Sequence, residues 1–183
     1  MGDDRYRVVK SEVKFEGEII SLFVDEVEMP WGDICEREYV RHKGAVGIVA
    51  LTDENEVYLV KQYRHPTGEM LLEIPAGKLD GKEDPLGCAI RELKEETGSV
   101  CREMVKLAEF YTTPGYSDEF FHLYLATGLE VGAVELEDDE EQELEVLKVS
   151  LNEAFEMISA GKIRDGKTIA GLALAEKLLK GKM

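Results

Sequence analysis

A chain of 183 residues with 44% hydrophobic content has apolar mass for one ordinary domain plus a small appendage, and too much for a disordered polypeptide. A net charge of −17 disfavours nucleic acid and acidic membrane surfaces as partners, because phosphate-rich surfaces attract basic faces; a phosphorylated small molecule remains admissible if metal ions or a few arginines bring positive charge to it. Cys35, Cys88 and Cys101 are scattered and form no CxxC pair, and the N-terminal MGDDRYRVVK has no apolar run behind its charges, so a reducing, cytoplasmic location without a membrane span is expected.

Residues 5–42 alternate as strands do, in three runs: RYRVVKSEVKF, EIISLFVDEVEM and ICEREYVRH, the last two separated by the turn Pro30-Trp31-Gly32-Asp33. They predict a small antiparallel sheet, too thin to bury much by itself. From Gly44 onward GAVGIVALT and VYLVKQY read as buried strands, joined by the turn Asp53–Glu56, and MLLEI as a shorter one. A helix follows, with Asp84 at its N-cap, Pro85 in its first turn and Gly98 at its C-terminal end. Strand-like runs cover 101–111 and 119–127. The acidic stretch 135–145 reads as loop for most of its length, LEVLKVS as a strand, and Ser150 with Glu153 as the capping box of a helix near 151–160. A last helix covers roughly 167–180.

The helix that Asp84 opens carries the chemistry. At 100° per residue, Leu86, Ile90, Leu93 and Thr97 share one stripe, which predicts its core face. Glu92 and Glu96, four apart, share a ridge beside that stripe, and Glu95 lies one ridge further round. Three carboxylates on two turns repel one another, by roughly 0.2–0.5 kcal/mol per pair even at an exposed surface. A hard cation converts that repulsion into coordination, and an all-oxygen set suits Mg2+ or Mn2+. A solvated acidic face is the plainer reading of a bare ExxEE, but this ExxEE is not bare.

Gly77, Glu83, Arg91-Glu92, Glu95-Glu96 and Gly98 stand at the spacing of the Nudix box, Gly-x5-Glu-x7-Arg-Glu-U-x-Glu-Glu-x-Gly-U with U aliphatic. The last aliphatic position departs, with Ser99 there and Val100 after it. The chain therefore resembles the Nudix hydrolases. The resemblance implies an α+β fold, an α/β/α sandwich on a mixed sheet, here preceded by the small N-terminal sheet. It implies water attack on a substituted nucleoside diphosphate, with Glu92 and Glu96 as metal ligands, Glu95 assisting, and the backbone carbonyl of Ala76 as a further ligand. Gly77, Glu83, Arg91 and Gly98 are structural members of the motif in this view, Arg91 pairing to box carboxylates.

Beyond the box, REYVRHKGAVGIVAL, VKQYRHPTGEMLLEIPAGKLD and YTTPGYSDE resemble one subfamily, the ADP-ribose pyrophosphatases, and Pro114 lies 16 residues past Gly98, close to that subfamily's diagnostic proline. The resemblance implies hydrolysis of ADP-ribose to AMP and ribose 5-phosphate. Arg64, after a strand and before a loop, is expected to fork onto a phosphate. Arg37 is expected to reach a neighbouring subunit's site, and a surface salt bridge is the plainer reading for both arginines. Trp31 is expected either to stack on adenine or, as the plainer reading, to cover apolar surface or a dimer contact. A loop glutamate would take the proton from water: Glu140 aligns best, but Gln142 stands where relatives often carry another glutamate, so Glu141 and Glu143 stay open. His42, His65 and His122 show no ligand spacing. The expected division is 1–42, a dimerising sheet exchanged between subunits of a homodimer, and 43–183, the catalytic domain. Two other functions remain in view, a broad or GDP-mannose-type nucleotide-sugar hydrolase and a non-catalytic ADP-ribose-binding module. The second conflicts with a complete set of box carboxylates.

Overall fold

The computed structural model describes residues 4–81, 83–131 and 144–182. The chain divides into two compact units, Met1–Gly44 with Phe110–Phe120, and Ala45–Glu109 with Phe121–Met183.

In the first unit, β1 (Arg7–Glu16), β2 (Ile20–Glu28) and β3 (Ile34–His42) form an antiparallel sheet in that order. Gly32 turns the chain between β2 and β3 with φ +93°, a conformation that favours glycine. The 110–120 segment runs beside β3: Val40 N–H donates to the Tyr116 carbonyl (2.7 Å), and Asp118 N–H to the Val40 carbonyl (3.1 Å). Phe23 and Tyr39 stack with ring centroids 5.3 Å apart, and the Arg41 guanidinium lies 4.4 Å from the Phe23 ring centroid. Val8, Val13, Phe15, Ile19 and Ile34 are exposed on this unit.

The second unit holds two sheets. In one, β5 (Glu56–Arg64) lies between β10 (Glu145–Ser150) and β6 (Glu69–Glu73), antiparallel to both. The other has the order β7-β4-β9-β8, with β4 (Ala45–Ala50) antiparallel to β7 (Ala76–Lys78) and parallel to β9 (Phe120–Val131), and with β8 (Ser99–Tyr111) at its edge. It is thus a mixed sheet, and β4 is buried throughout, as a strand covered on both faces must be. One face carries α1 (Pro85–Thr97): Val46, Ile48, Ala50, Tyr124 and Ala126 pack with Cys88, Ala89 and Leu93. The opposite face meets α3 (Gly166–Lys182), where a Cβ on Gly171 would lie 3.0 Å from Val49 and 3.3 Å from Leu123. Helices therefore cover both faces of the mixed sheet, the α/β/α sandwich expected from the sequence. The short α2 (Leu151–Ser159) starts at Ser150, whose hydroxyl accepts the Glu153 N–H, the first half of the expected capping box. Among the described residues no helix is long and apolar enough to cross a membrane.

The orientation of α1 departs from the expected stripe. Leu93 and Thr97 are buried, but Leu86 and Ile90 are 40% and 49% exposed. The inward arc is Cys88, Ala89, Glu92, Leu93, Glu96 and Thr97, so the helix is turned toward its glutamates. The physical reason lies in what those glutamates reach.

Candidate active site

Strand β7 places Ala76 and Gly77 opposite Gly47 and Val46 of β4, at the sheet margin that α1 overlies. Glu96 reaches this margin, and its Oε2 accepts the Ala76 N–H at 3.0 Å. Glu92 lies over Gly77: a Cβ added there would sit 1.9 Å from the Glu92 Oε1. Only glycine leaves room for that carboxylate, which accounts physically for the first glycine of the box. Glu92 and Glu96 are 6% and 4% exposed, so they belong to the inner face of α1 and not to a ridge beside it.

Arg91 organises the remaining acids. Its Nε and Nη2 donate to the two oxygens of Glu83 (3.2 Å each), while Nη1 lies 2.8 Å from Glu92 Oε1 and 2.7 Å from Glu95 Oε2. These contacts, Glu83 foremost, hold the Arg91 guanidinium firmly protonated, and the Glu83 carboxyl is pulled below its ordinary range chiefly by Arg91. Cys88, beneath Arg91, has its thiol pushed up to about 12 by burial and by the charges of Glu92 and Glu83, so it is no nucleophile at neutral pH.

Among the described residues no three His, Cys, Asp or Glu side chains form a ready ligand set. Arg91 stands among the carboxylates, and Glu96 is engaged by the Ala76 N–H. The donors nevertheless suit a hard divalent cation: Glu92 and Glu96 converge on the Ala76–Gly77 backbone, Glu95 stands beside Glu92 across the Arg91 amino group, and every donor is oxygen. A cation there would relieve the mutual repulsion of buried carboxylates that Arg91 now shares.

The structure thus brings Ala76, Gly77, Glu83, Arg91, Glu92, Glu95 and Glu96 together, and Gly98 closes α1 with a left-handed φ of 66°. Arg64 is paired with a carboxylate. Its Nε and Nη2 fork onto Glu73 Oε1 and Oε2, each at 2.8 Å. Arg37 and Pro114 belong to the other unit. Arg37 Nη1 donates to the Glu36 carbonyl at 2.8 Å, and Pro114 is exposed in a turn where the Tyr116 and Ser117 N–H groups donate to the Thr113 carbonyl. Trp31 is exposed at its hairpin tip, its indole N–H on Asp33 (2.9 Å). Glu140, Glu141 and Glu143 lie outside the described residues.

Sequence reasoning missed Glu73 and Lys167. Glu73 is 1% exposed, and besides Arg64 it pairs with Lys167 at the start of α3. Burial alone would push its carboxyl up; the Arg64 hydrogen bonds and the Lys167 charge overcome that and bring it down to about 2. One signal was present, an acid inside the apolar run MLLEI. No local spacing names its partners.

The NUDIX domain family profile matches residues 41–172. The chain is 44% identical over 163 residues to the methanol dehydrogenase activator of Bacillus methanolicus, covering 89% of this chain and 88% of that protein. It is 41% identical over 162 residues to the ADP-ribose pyrophosphatase of Bacillus subtilis (strain 168), covering 88% of each. A crystal structure described as an ADP compounds hydrolase superposes with a TM-score of 0.83 over 100% of this chain and 98% of its own, and at 22% identity that likeness speaks for the fold. With the box glutamates gathered on the Ala76–Gly77 backbone and the profile covering most of the chain, the protein belongs to the NUDIX domain family and is one of its hydrolases.

Proposed function

We propose that this hydrolase cleaves the pyrophosphate of ADP-ribose, with Mg2+ as activating cation and Mn2+ as a substitute, releasing AMP and ribose 5-phosphate. The observation that carries this reading is the convergence of buried Glu92 and Glu96 on Ala76 and Gly77. The relative from Bacillus subtilis, similar over nearly its whole length, supports the substrate. A divalent cation held by Glu92, Glu96, Glu95 and the Ala76 carbonyl would neutralise the pyrophosphate and acidify the attacking water. Arg91 bridges Glu92 and Glu95 through one amino group, and Glu83 fixes Arg91 from behind. Arg64 presents a guanidinium to phosphate. We assign proton removal to Glu140, with Glu141 and Glu143 as the alternatives across Gln142. The water oxygen joins the attacked phosphorus, the bridging oxygen leaves with the other phosphate, and the proton passes to the loop glutamate.

The same reading includes a homodimer in which the 1–42 sheet packs on the partner's catalytic domain, with Arg37 and Pro114 at the substrate, and a cytoplasmic setting in keeping with three free cysteines. A non-catalytic binding module fits less well, since Glu83, Arg91, Glu92, Glu95 and Glu96 are all present and assembled.

The name of the Bacillus methanolicus relative favours one second reading, that the chain alters the activity of another enzyme. Incubation with ADP-ribose and Mg2+ in heavy-oxygen water tests the first. AMP and ribose 5-phosphate are expected, one of them carrying the heavy oxygen at phosphorus. Intact ADP-ribose would overturn the reading, and preferential cleavage of GDP-mannose in the same assay would replace its substrate.

A further inference from the structure

The second unit holds a closed ring of polar contacts around the buried Glu73, Ile74 and Thr168. Ile74 N–H donates to Thr168 Oγ1 at 2.8 Å, and Thr168 Oγ1 in turn donates to Asp165 Oδ2 at 2.6 Å. Asp165 Oδ1 lies 3.0 Å from Lys167 Nζ, and Lys167 donates to Glu73 Oε2, which returns to Ile74 along the backbone. This ring fixes the first turn of α3 to the chain that enters β7. Arg64 hangs on the ring as a side arm, its Nε–H and one Nη2–H spent on Glu73 in a planar fork. A guanidinium has five N–H donors, so the Nη1 amino group and the second Nη2 hydrogen are not used by Glu73.

Two observations link the arm to the box. Arg64 is held more firmly protonated first by the Glu73 hydrogen bonds, and also by the charges of Glu96 and Asp165, so Glu96 lies within electrostatic reach of it. Glu73 stands three residues before Ala76, whose N–H Glu96 accepts. Stability alone is a weak reason for such an arrangement. Burying a carboxylate costs several kcal/mol before pairing, and a well-packed apolar set often does as well or better. What a fork supplies that apolar packing cannot is a fixed plane for the guanidinium.

We propose that Glu73 is a positioning residue: its two-point fork holds the Arg64 guanidinium in one orientation, so that the face of Arg64 away from Glu73 meets a phosphate of the nucleoside diphosphate without loss of side-chain freedom on binding. The proposal rests on the pyrophosphatase reading and deepens it. A freely rotating arginine must be ordered by each substrate molecule it binds; one already clamped need not be.

The test is steady-state hydrolysis of ADP-ribose by full-length wild type, Glu73→Gln, Arg64→Met and the double variant, at saturating Mg2+ and across a Mg2+ titration. Glu73→Gln is expected to raise KM about tenfold while kcat stays within about threefold, because the interaction lost is one of ground-state binding. In the Arg64→Met background the same change should add nothing, since there is no guanidinium left to aim. The Mg2+ dependence should not move. Lys167→Gln, which touches Glu73 from the α3 side, should lower thermal stability and leave KM near wild type. Should Glu73→Gln fail to fold, Glu73→Asp keeps the charge, shortens the reach and is expected to show the same KM-against-kcat split. An unchanged KM in an active wild-type background, an additive double variant, or a Lys167→Gln that raises KM equally would each overturn the positioning role. A wild type that leaves ADP-ribose intact overturns the functional reading first, and the two failures are thereby separate.

Discussion

Gly77 shows how a single missing atom builds the site. Its absent Cβ is the space that Glu92 occupies, so Gly77→Ala must push the carboxylate away or shift β7. The variant is expected to fold, with unchanged far-ultraviolet circular dichroism, and to lose about ten- to a hundredfold in kcat, the usual scale for disturbing a ligand's support. Wild-type turnover would show that Glu92 is not needed where it lies. Glu73 yields a prediction in pH. Its folded carboxyl titrates at about 2, below the ordinary value of 4.5, so its stabilisation is complete above 4.5 and disappears as pH falls through about 2. The shift corresponds to about 3 kcal/mol. Melting of wild type and Glu73→Gln should therefore differ by a constant amount at neutral pH and converge between about pH 4.5 and 2, whereas a gap that persists at pH 2 would contradict the ionic role. The box residues were readable because their chemistry demands fixed local spacing. The Glu73 ring was not, because Arg64 and Lys167 come to it from β5 and α3, and burial is invisible in a string of letters.

At the scale of elements, punctuation was more legible than orientation. Asp84 accepts the Gly87 N–H at 3.1 Å, Pro85 opens α1, and Gly98 closes it in the left-handed region with its N–H on the Lys94 carbonyl. Each is a local choice, so each could be read locally. Asp84→Ala should cost about 1 kcal/mol from the lost cap. Gly98→Ala should cost about 1 kcal/mol from the backbone conformation that alanine resists. Denaturant unfolding measures both, and a loss near zero in either case would mean that the cap is replaced elsewhere. The inner face of α1 was misread because periodicity counts only apolar side chains. Here Glu92 and Glu96 occupy inward positions, Leu86 and Ile90 are left outside, and the helix is rotated by what its carboxylates must reach. The short strand β7 was missed for a related reason: three residues of Ala-Gly-Lys carry no alternation, and β4 alone makes them a strand.

For the whole molecule, the three-stranded sheet leaves Val8, Val13, Phe15, Ile19 and Ile34 exposed, more apolar surface than a lone small sheet tolerates. A twofold dimer is the commonest remedy, so sedimentation should give a dimer at micromolar concentration, and a monomer there refutes it. If Arg37 serves the neighbour's substrate, mixing Arg37→Ala subunits with Glu96→Gln subunits should restore activity above either parent, because some mixed dimers gather both lesions in one site and leave the other intact. No recovery, after proven exchange between two defective parents, would confine Arg37 to its own subunit. The fold class was legible through the resemblance that the box carries, and the strands other than β7 because alternation is local; the two-sheet division of the second unit was not, since only long-range pairing decides it. That pairing has a kinetic side. The parallel register of Ala45 with Phe121 closes a loop that contains the entire box, so the central ladder of the sheet has high contact order. Folding must bear that closure entropy before β4 and β9 reward it. The nascent chain therefore has the whole box synthesised while β4 still lacks its parallel partner, and the central ladder can close only after Phe121 has been made.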